Sequence, residues 1–218
     1  MDLLSISATQ ALLNNGALLI DTRPTSEFTL GFIPKSLHLP LGEKFADYAA
    51  AFITTEDQVV VITKVGEEEQ SYRAIAKTGF INIAGIVEGG YTAMITADMD
   101  TDLLIDISLD EFEIDYKFDE FYLIDIRNEE EYEQEHIEYA ENIPLADLDT
   151  ALADLNSTSL YYIYGNSGTE ATIAATIFKQ YDFHKLRVIT EGYEQLKQST
   201  IPITKMKKEK ADNSFSAN

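Results

Sequence analysis

The sequence predicts an α/β chain of two similar domains, each a mostly parallel central sheet with helices on both faces. Three observations carry this: an internal repeat, short apolar runs ended by Asp-x-Arg, and helix-forming stretches between those runs. Strands alternating with helical stretches of ~10–15 residues favour parallel pairing with both sheet faces covered.

The repeat is read first, because a repeat decides the whole architecture. Leu19-Ile20-Asp21-Thr22-Arg23 returns as Leu123-Ile124-Asp125-Ile126-Arg127, 104 residues later. Glu27-Phe28 returns as Glu131-Tyr132, Ile33 as Ile137, and Leu39-Pro40-Leu41 as Ile143-Pro144-Leu145, at the same offset. Val59–Ile62 is answered by Tyr161–Tyr164 at an offset of 102. Gly79-Phe80 then answers to Asp182-Phe183, and Glu88-Gly89-Gly90-Tyr91 to Thr190-Glu191-Gly192-Tyr193. The landmarks keep their order throughout, which marks a duplication.

Within each copy the elements follow in turn. Ala17–Ile20 and Phe121–Ile124 read as buried strands. Thr25–Phe28 reads as a short helix with Thr25 as its N-cap. Val59–Ile62 and Leu160–Tyr164 are β-branched and aromatic, as central strands are. Gln70–Lys77 and Ala171–Gln180 are helix-forming and follow Gly-bearing loops; Ile81–Ile86 and Leu186–Ile189 supply the next strand. Residues 96–102 are acidic and without apolar period, so they read as a linker or loose turn. The expected domains are residues 1–98 and 99–204, followed by a flexible Lys-containing tail over 205–218.

Bulk properties narrow the function classes. The chain has 218 residues, 45% of them hydrophobic, enough for a real core. Its net charge of −22 disfavours DNA, RNA and anionic membranes as partners. The acidity fits a solvated surface and, beyond that, either a basic partner protein or long-range repulsion of anions. There is no signal-peptide pattern and no apolar run of ~18 residues, so the expectation is a soluble, cytoplasmic protein. Cysteine is absent, which removes disulfides, thiolate metal sites and cysteine nucleophiles together. His38, His136 and His184 show no metal-binding spacing, and His38 and His136 read as structural or surface groups; no metal and no cofactor is expected.

The ordered motifs resemble the rhodanese-like domain family. They are a strand ending in Asp-x-Arg, a Glu-Tyr/Phe helix, and a segment read here as Gly31-Phe32-Ile33-Pro34 through Leu39-Pro40-Leu41 and as Glu135-His136-Ile137 through Ile143-Pro144-Leu145. The Glu-Gly-Gly-Tyr at 88–91 matches the family's ending, except that Met94 and Leu196 stand where a closing tryptophan is usual. The resemblance covers the chain to about residue 200. In that family a cysteine follows the central strand and opens a loop of roughly six residues, whose amides and helix N-terminus hold an anionic sulfur species.

The resemblance puts that cysteine position at Thr63 in copy one and Gly165 in copy two. Neither residue can form a persulfide, so the chain is expected not to be a working sulfurtransferase. Loop one reads Thr63-Lys64-Val65-Gly66-Glu67-Glu68-Glu69, and its three carboxylates read as first-turn helix residues that oppose anion binding. Its pattern is loosely similar to the rhodanese modules of metallo-β-lactamase-like persulfide dioxygenases. Loop two reads Gly165-Asn166-Ser167-Gly168-Thr169-Glu170. It could cradle a small anion, or be an ordinary strand-to-helix loop with Thr169 as N-cap; it matches neither a nucleophile elbow nor a P-loop. Asp21/Arg23 and Asp125/Arg127 read as structural ties at the strand ends, and the Glu129–Glu135 cluster as an exposed helix face.

The functional expectation is a catalytically inactive binding or regulatory module with a protein partner in sulfur metabolism. The alternatives are a residual enzyme, either a hydrolase using Ser167 or Thr169 or a sulfurtransferase subunit, and a small-anion binder through loop two. The sequence leaves the oligomeric state open.

Overall fold

Runs such as Val59-Val60-Val61-Ile62 lose little in an extended backbone, because branching at Cβ already restricts χ1. All four of these residues are 0–1% exposed, so the run is covered on both faces as a central parallel strand must be. The computed structural model describes residues 1–79, 82–118 and 120–205.

In chain order the first copy comprises β1 (Leu3–Leu4), α1 (Ile6–Asn14), β2 (Leu18–Asp21), α2 (Thr25–Phe28), β3 (Leu37–His38), α3 (Phe45–Phe52), β4 (Val59–Ile62), α4 (Glu68–Lys77), β5 (Ile83–Val87) and α5 (Gly90–Thr96). The second comprises β6 (Asp106–Ile107), α6 (Leu109–Phe118), β7 (Tyr122–Asp125), α7 (Glu129–Gln134), β8 (Glu135–Ile137), β9 (Glu141–Asn142), α8 (Leu148–Ala151), β10 (Tyr161–Tyr164), α9 (Gly168–Gln180), β11 (Leu186–Ile189), α10 (Tyr193–Leu196) and β12 (Ile203–Lys205).

Each copy builds a five-stranded sheet, ordered β1-β5-β4-β2-β3 and β6-β11-β10-β7-β9. Every pairing within these two sheets is parallel. The identical topology is the structural form of the sequence repeat. A short antiparallel pair, β12 with β8, lies apart from both sheets.

Period-two alternation sends neighbouring side chains to opposite faces. Ile20, Val59, Val61 and Ile86 from sheet one join Ile124, Ile163 and Val188 from sheet two in a single apolar cluster that runs through both copies. Leu19, Val60, Ile62 and Val87 face the other way, into a separate cluster with Met94. Leu123, Tyr162, Tyr164 and Ile189 do the same in copy two.

The two copies are joined mainly through α9. Ala171 through Phe178 are all buried, which leaves this helix without a solvent face over two turns. A helix apolar all round belongs in an interior. Its Thr176 Oγ1 accepts the backbone N–H of His38 in β3 at 3.4 Å, across the copies. Lys179 Nζ donates to Asp102 at 2.8 Å.

Several expectations change. Residues 96–102 are not a loose turn throughout: Asp102 exchanges two 2.9 Å backbone hydrogen bonds with Phe32. Lys205, expected to open the tail, is the last residue of β12, paired with Glu135; residues 206–218 lie outside the described residues, as does Ile81 at the expected start of β5. Thr25 is not the N-cap of α2, since Pro24 holds that place without a side-chain bond and Thr25 is the first helical residue. Ser167, not Thr169, caps α9.

Candidate functional site

In copy one, Thr63 follows β4 directly and is 2% exposed. Its hydroxyl lies 2.5 Å from Ser71 Oγ, which in turn lies 3.2 Å from Thr22 Oγ1. Thr22 Oγ1 donates to the Ile62 carbonyl at 3.0 Å, closing a buried chain of three hydroxyls. The residue at the nucleophile position is thus turned inward and bonded.

The rest of loop one is consumed locally. Gly66, at φ +94°, takes a left-handed turn that only glycine adopts freely. Its N–H donates to Glu68 Oε2 at 2.9 Å, and Glu67 N–H to the Lys64 carbonyl at 2.9 Å. Glu68 and Glu69 occupy the first turn of α4, where carboxylates complement the helix dipole. Lys64 donates to Glu27 at 3.0 Å, and that contact holds the lysine above its ordinary pKa. Val65 is exposed.

In copy two, Gly165 leaves a space that Ile126 fills: a Cβ at 165 would stand 2.8 Å from Ile126 Cγ1. Ile126 is the counterpart of Thr22, so the same pair of positions is closed by hydroxyls in one copy and by an aliphatic side chain in the other. Asn166 Nδ2 donates to Glu131 at 3.0 Å. This is the duplicate of Lys64–Glu27, joining equivalent residues of each copy.

Glu170 organises loop two. One carboxylate oxygen accepts from Asn166 N–H at 3.2 Å, and the other from Lys44 Nζ at 2.9 Å and Tyr48 Oη at 3.2 Å, both in copy one. Burial, with the adjacent Glu170 charge, raises the Tyr48 hydroxyl well above its usual pKa and keeps it a donor. Ser167 Oγ accepts the Glu170 N–H at 3.2 Å. Two donors of this loop, the N–H groups of Asn166 and Glu170, therefore already serve internal acceptors. Gly168 is required here, since a Cβ would lie 2.4 Å from the Thr190 carbonyl.

Between the copies lies a cavity of about 300 Å³ lined by Thr25, Ser26, Asp106, Ser167, Thr169 and Thr190. Thr25 Oγ1 is 3.3 Å from Thr169 Oγ1 and 3.1 Å from His38 Nε2. Burial depresses His38 to a pKa of about 3, so it is a neutral imidazole, stacked on Phe28 at 4.2 Å. Burial raises the Asp106 carboxyl above its ordinary range. The cavity is lined by hydroxyls and one carboxyl.

The two Asp-x-Arg pairs lie at the strand ends, outside this cavity's lining. Arg23 Nη2 meets Asp21 Oδ2 at 2.6 Å and also donates to the Gly31 carbonyl at 2.9 Å. Arg127 repeats this with Asp125 at 2.6 Å and the Glu135 carbonyl at 2.9 Å. Both carboxylates are fully buried. Each guanidinium also lies over a tyrosine, Arg23 over Tyr91 at 4.0 Å and Arg127 over Tyr193 at 3.5 Å. Tyr164 adds a 2.6 Å bond to Asp125 in copy two. Burial pushes the Tyr193 hydroxyl up to about 12. His136 sits apart, its Nδ1 2.7 Å from the Tyr132 carbonyl.

The structure brings Thr63 together with Ser71 and Thr22, and Gly165 with Ile126. It does not bring Thr63 and Gly165 into one site. Sequence reasoning missed Ser71, Ile126, Tyr48 and Lys44. Only Ile126 carried a signal, as the residue that breaks the Asp-Thr-Arg repeat.

Among the described residues no helix is long and apolar enough to cross a membrane, and no cluster of three or more potential ligands is placed to hold a metal ion.

Comparison with known proteins locates the chain. It is 33% identical over 88 residues to "Putative sulfur carrier protein YrkF" of Bacillus subtilis (strain 168), covering 40% of this chain and 48% of that protein, so the match spans about half of the relative's length. Among solved structures, the rhodanese-like domain of the Alr3790 protein from Anabaena sp. matches with a TM-score of 0.44 and 19% identity, over 52% of this chain and 89% of that one. A rhodanese with anions from E. coli matches with a TM-score of 0.34 and 27% identity, over 39% and 99%. The rhodanese-like domain model itself matches residues 5–97 and again 108–199, and the chain therefore belongs to the rhodanese-like domain family, with two copies in tandem.

Proposed function

We propose that this chain is a non-catalytic tandem rhodanese-like protein that works by binding, in the setting of persulfide or thiosulfate handling. One observation carries the reading: the sequence has no cysteine, and both nucleophile positions are closed by neighbouring side chains. Sulfur transfer needs a thiolate that attacks sulfane sulfur and then holds it in an S–S bond. A threonine hydroxyl bonded to Ser71 is a poor nucleophile, and glycine offers no atom at all. Family membership and the sulfur-carrier relative support the sulfur context.

The geometry lends less to the other readings. Ser167 Oγ is engaged as a helix cap and Thr169 Oγ1 lies against Thr25 Oγ1, so both hydroxyls of the hydrolase reading already have structural partners. The N–H of Asn166, one of the donors open to a small anion in such a loop, already meets Glu170.

The deciding measurement is thiocyanate formation from thiosulfate and cyanide by the purified chain. The expected rate equals that of buffer alone. Robust turnover by a protein without cysteine would overturn the reading.

A further inference from the structure

At the end of sheet two remote from loop two, the chain enters β7 and β10 beside a groove of about 720 Å³. Strands of four residues span ~13 Å, so this groove and the emptied nucleophile position are separate surfaces. Its lining residues include Tyr116, Phe121, Tyr122 and Tyr139 together with the acidic Glu120 and Glu138. Lys185 is the one cation among its lining residues.

Two of these rings are open to solvent: Tyr122 is 55% and Tyr139 is 84% exposed. Tyr122 stacks on Tyr161 at 5.3 Å, which holds its ring in place. Tyr139 sits in a left-handed turn at φ +67°, a conformation unfavourable for a bulky residue. Copy one makes the same turn with Lys35 at φ +66°. It has Ala17 and Leu18 where copy two has Phe121 and Tyr122. Phe121 packs against Tyr162 at 4.3 Å and is packed on the core. The exposed Tyr122 and Tyr139 stand where the duplicate has Leu18 and Lys35, so the fold does not require those two rings.

Aromatic faces beside carboxylates suit one chemistry, an ammonium or guanidinium group held by the ring quadrupole and by charge. A chain of net charge −22 draws such groups from a distance. We infer that this groove is a docking site for a Lys- or Arg-bearing segment of a partner protein. The site is independent of the nucleophile positions, so the thiocyanate assay does not bear on it.

The test uses the full chain and a fluorescein-labelled peptide of alternating Lys and Ser, read by anisotropy at low salt. Tyr122→Leu/Tyr139→Gly leaves net charge unchanged and is expected to weaken binding about tenfold. Glu129→Gln/Glu130→Gln, which removes two exposed carboxylates of α7 outside the groove, is expected to change binding far less. A peptide with acetylated lysines is expected not to bind. Equal affinity of the tyrosine variant, an equal loss in the glutamine variant, or binding of the acetylated peptide would each overturn the assignment. Should the double variant melt early, Tyr139→Gly alone, which suits the left-handed turn, is expected to weaken binding roughly threefold.

Discussion

Ile126 and Gly165 occupy one space: the Cγ1 of the first lies 2.8 Å from where a Cβ on the second would stand. The equivalent pair in copy one, Thr22 and Thr63, is joined instead through Ser71. Two different solutions fill the same position, one by hydrogen bonding and one by packing.

The shared space makes the two copy-two residues energetically coupled. Gly165→Cys is expected to destabilise the chain by ~1–3 kcal/mol, as overpacking of a filled interior does. Ile126→Ala alone should cost ~2–5 kcal/mol through the cavity it leaves. Combined, the two should cost less than their sum, by ~0.5–3 kcal/mol. Urea denaturation of the four proteins measures this, and strict additivity would refute the shared space.

Glu170 keeps one carboxylate oxygen on the Asn166 N–H, a donor of loop two. Glu170→Ala should free that donor and remove a negative charge from the N-terminus of α9. Sulfate or thiosulfate is then expected to raise the melting temperature of the variant and not of the natural chain. At ten times the dissociation constant the gain is about 1.4 kcal/mol, a shift of ~3–6 °C at this size. An unmoved variant would show that the loop does not cradle anions even when vacated.

His38 makes stability depend on pH. Its folded pKa is depressed to about 3 by burial, while the unfolded chain protonates near the ordinary histidine value. Above pH ~6.5 both states carry neutral histidine, and the full contribution is present. As pH falls from there toward 3, the unfolded state binds a proton that the folded state refuses. Stability drops by up to about 1.4 kcal/mol per pH unit from this group. His38→Gln should lose that slope relative to the natural chain between pH 4 and 6; identical slopes in denaturation experiments would count against it.

Much of the fold was legible because the signals were local. Val59–Ile62, the Asp-x-Arg ends and the 104-residue offset are each properties of adjacent residues. The caps were less so: Ser167 and Thr169 are both good N-cap residues, and Thr169 faces Thr25 in the other copy instead. The site was legible only as an absence. That Thr63 points at Ser71, or that Ile126 fills the place of a missing side chain, depends on distances between segments that no spacing encodes. The role of α9 had a trace in the sequence, since Ala171-Thr172-Ile173-Ala174-Ala175-Thr176-Ile177-Phe178 has no polar stripe, but its partner strand had none.

The 3.4 Å contact from Thr176 to the amide of His38 has a bearing on the life of the protein before it is complete. β3 is the last strand of its sheet, and an uncovered strand border is a template on which other chains can assemble. During synthesis the amino-terminal half emerges with that border bare, and it is sheltered only once α9 has been made. A chain interrupted before residue 168 is therefore expected to self-associate more readily than the full chain, which light scattering of the two would check.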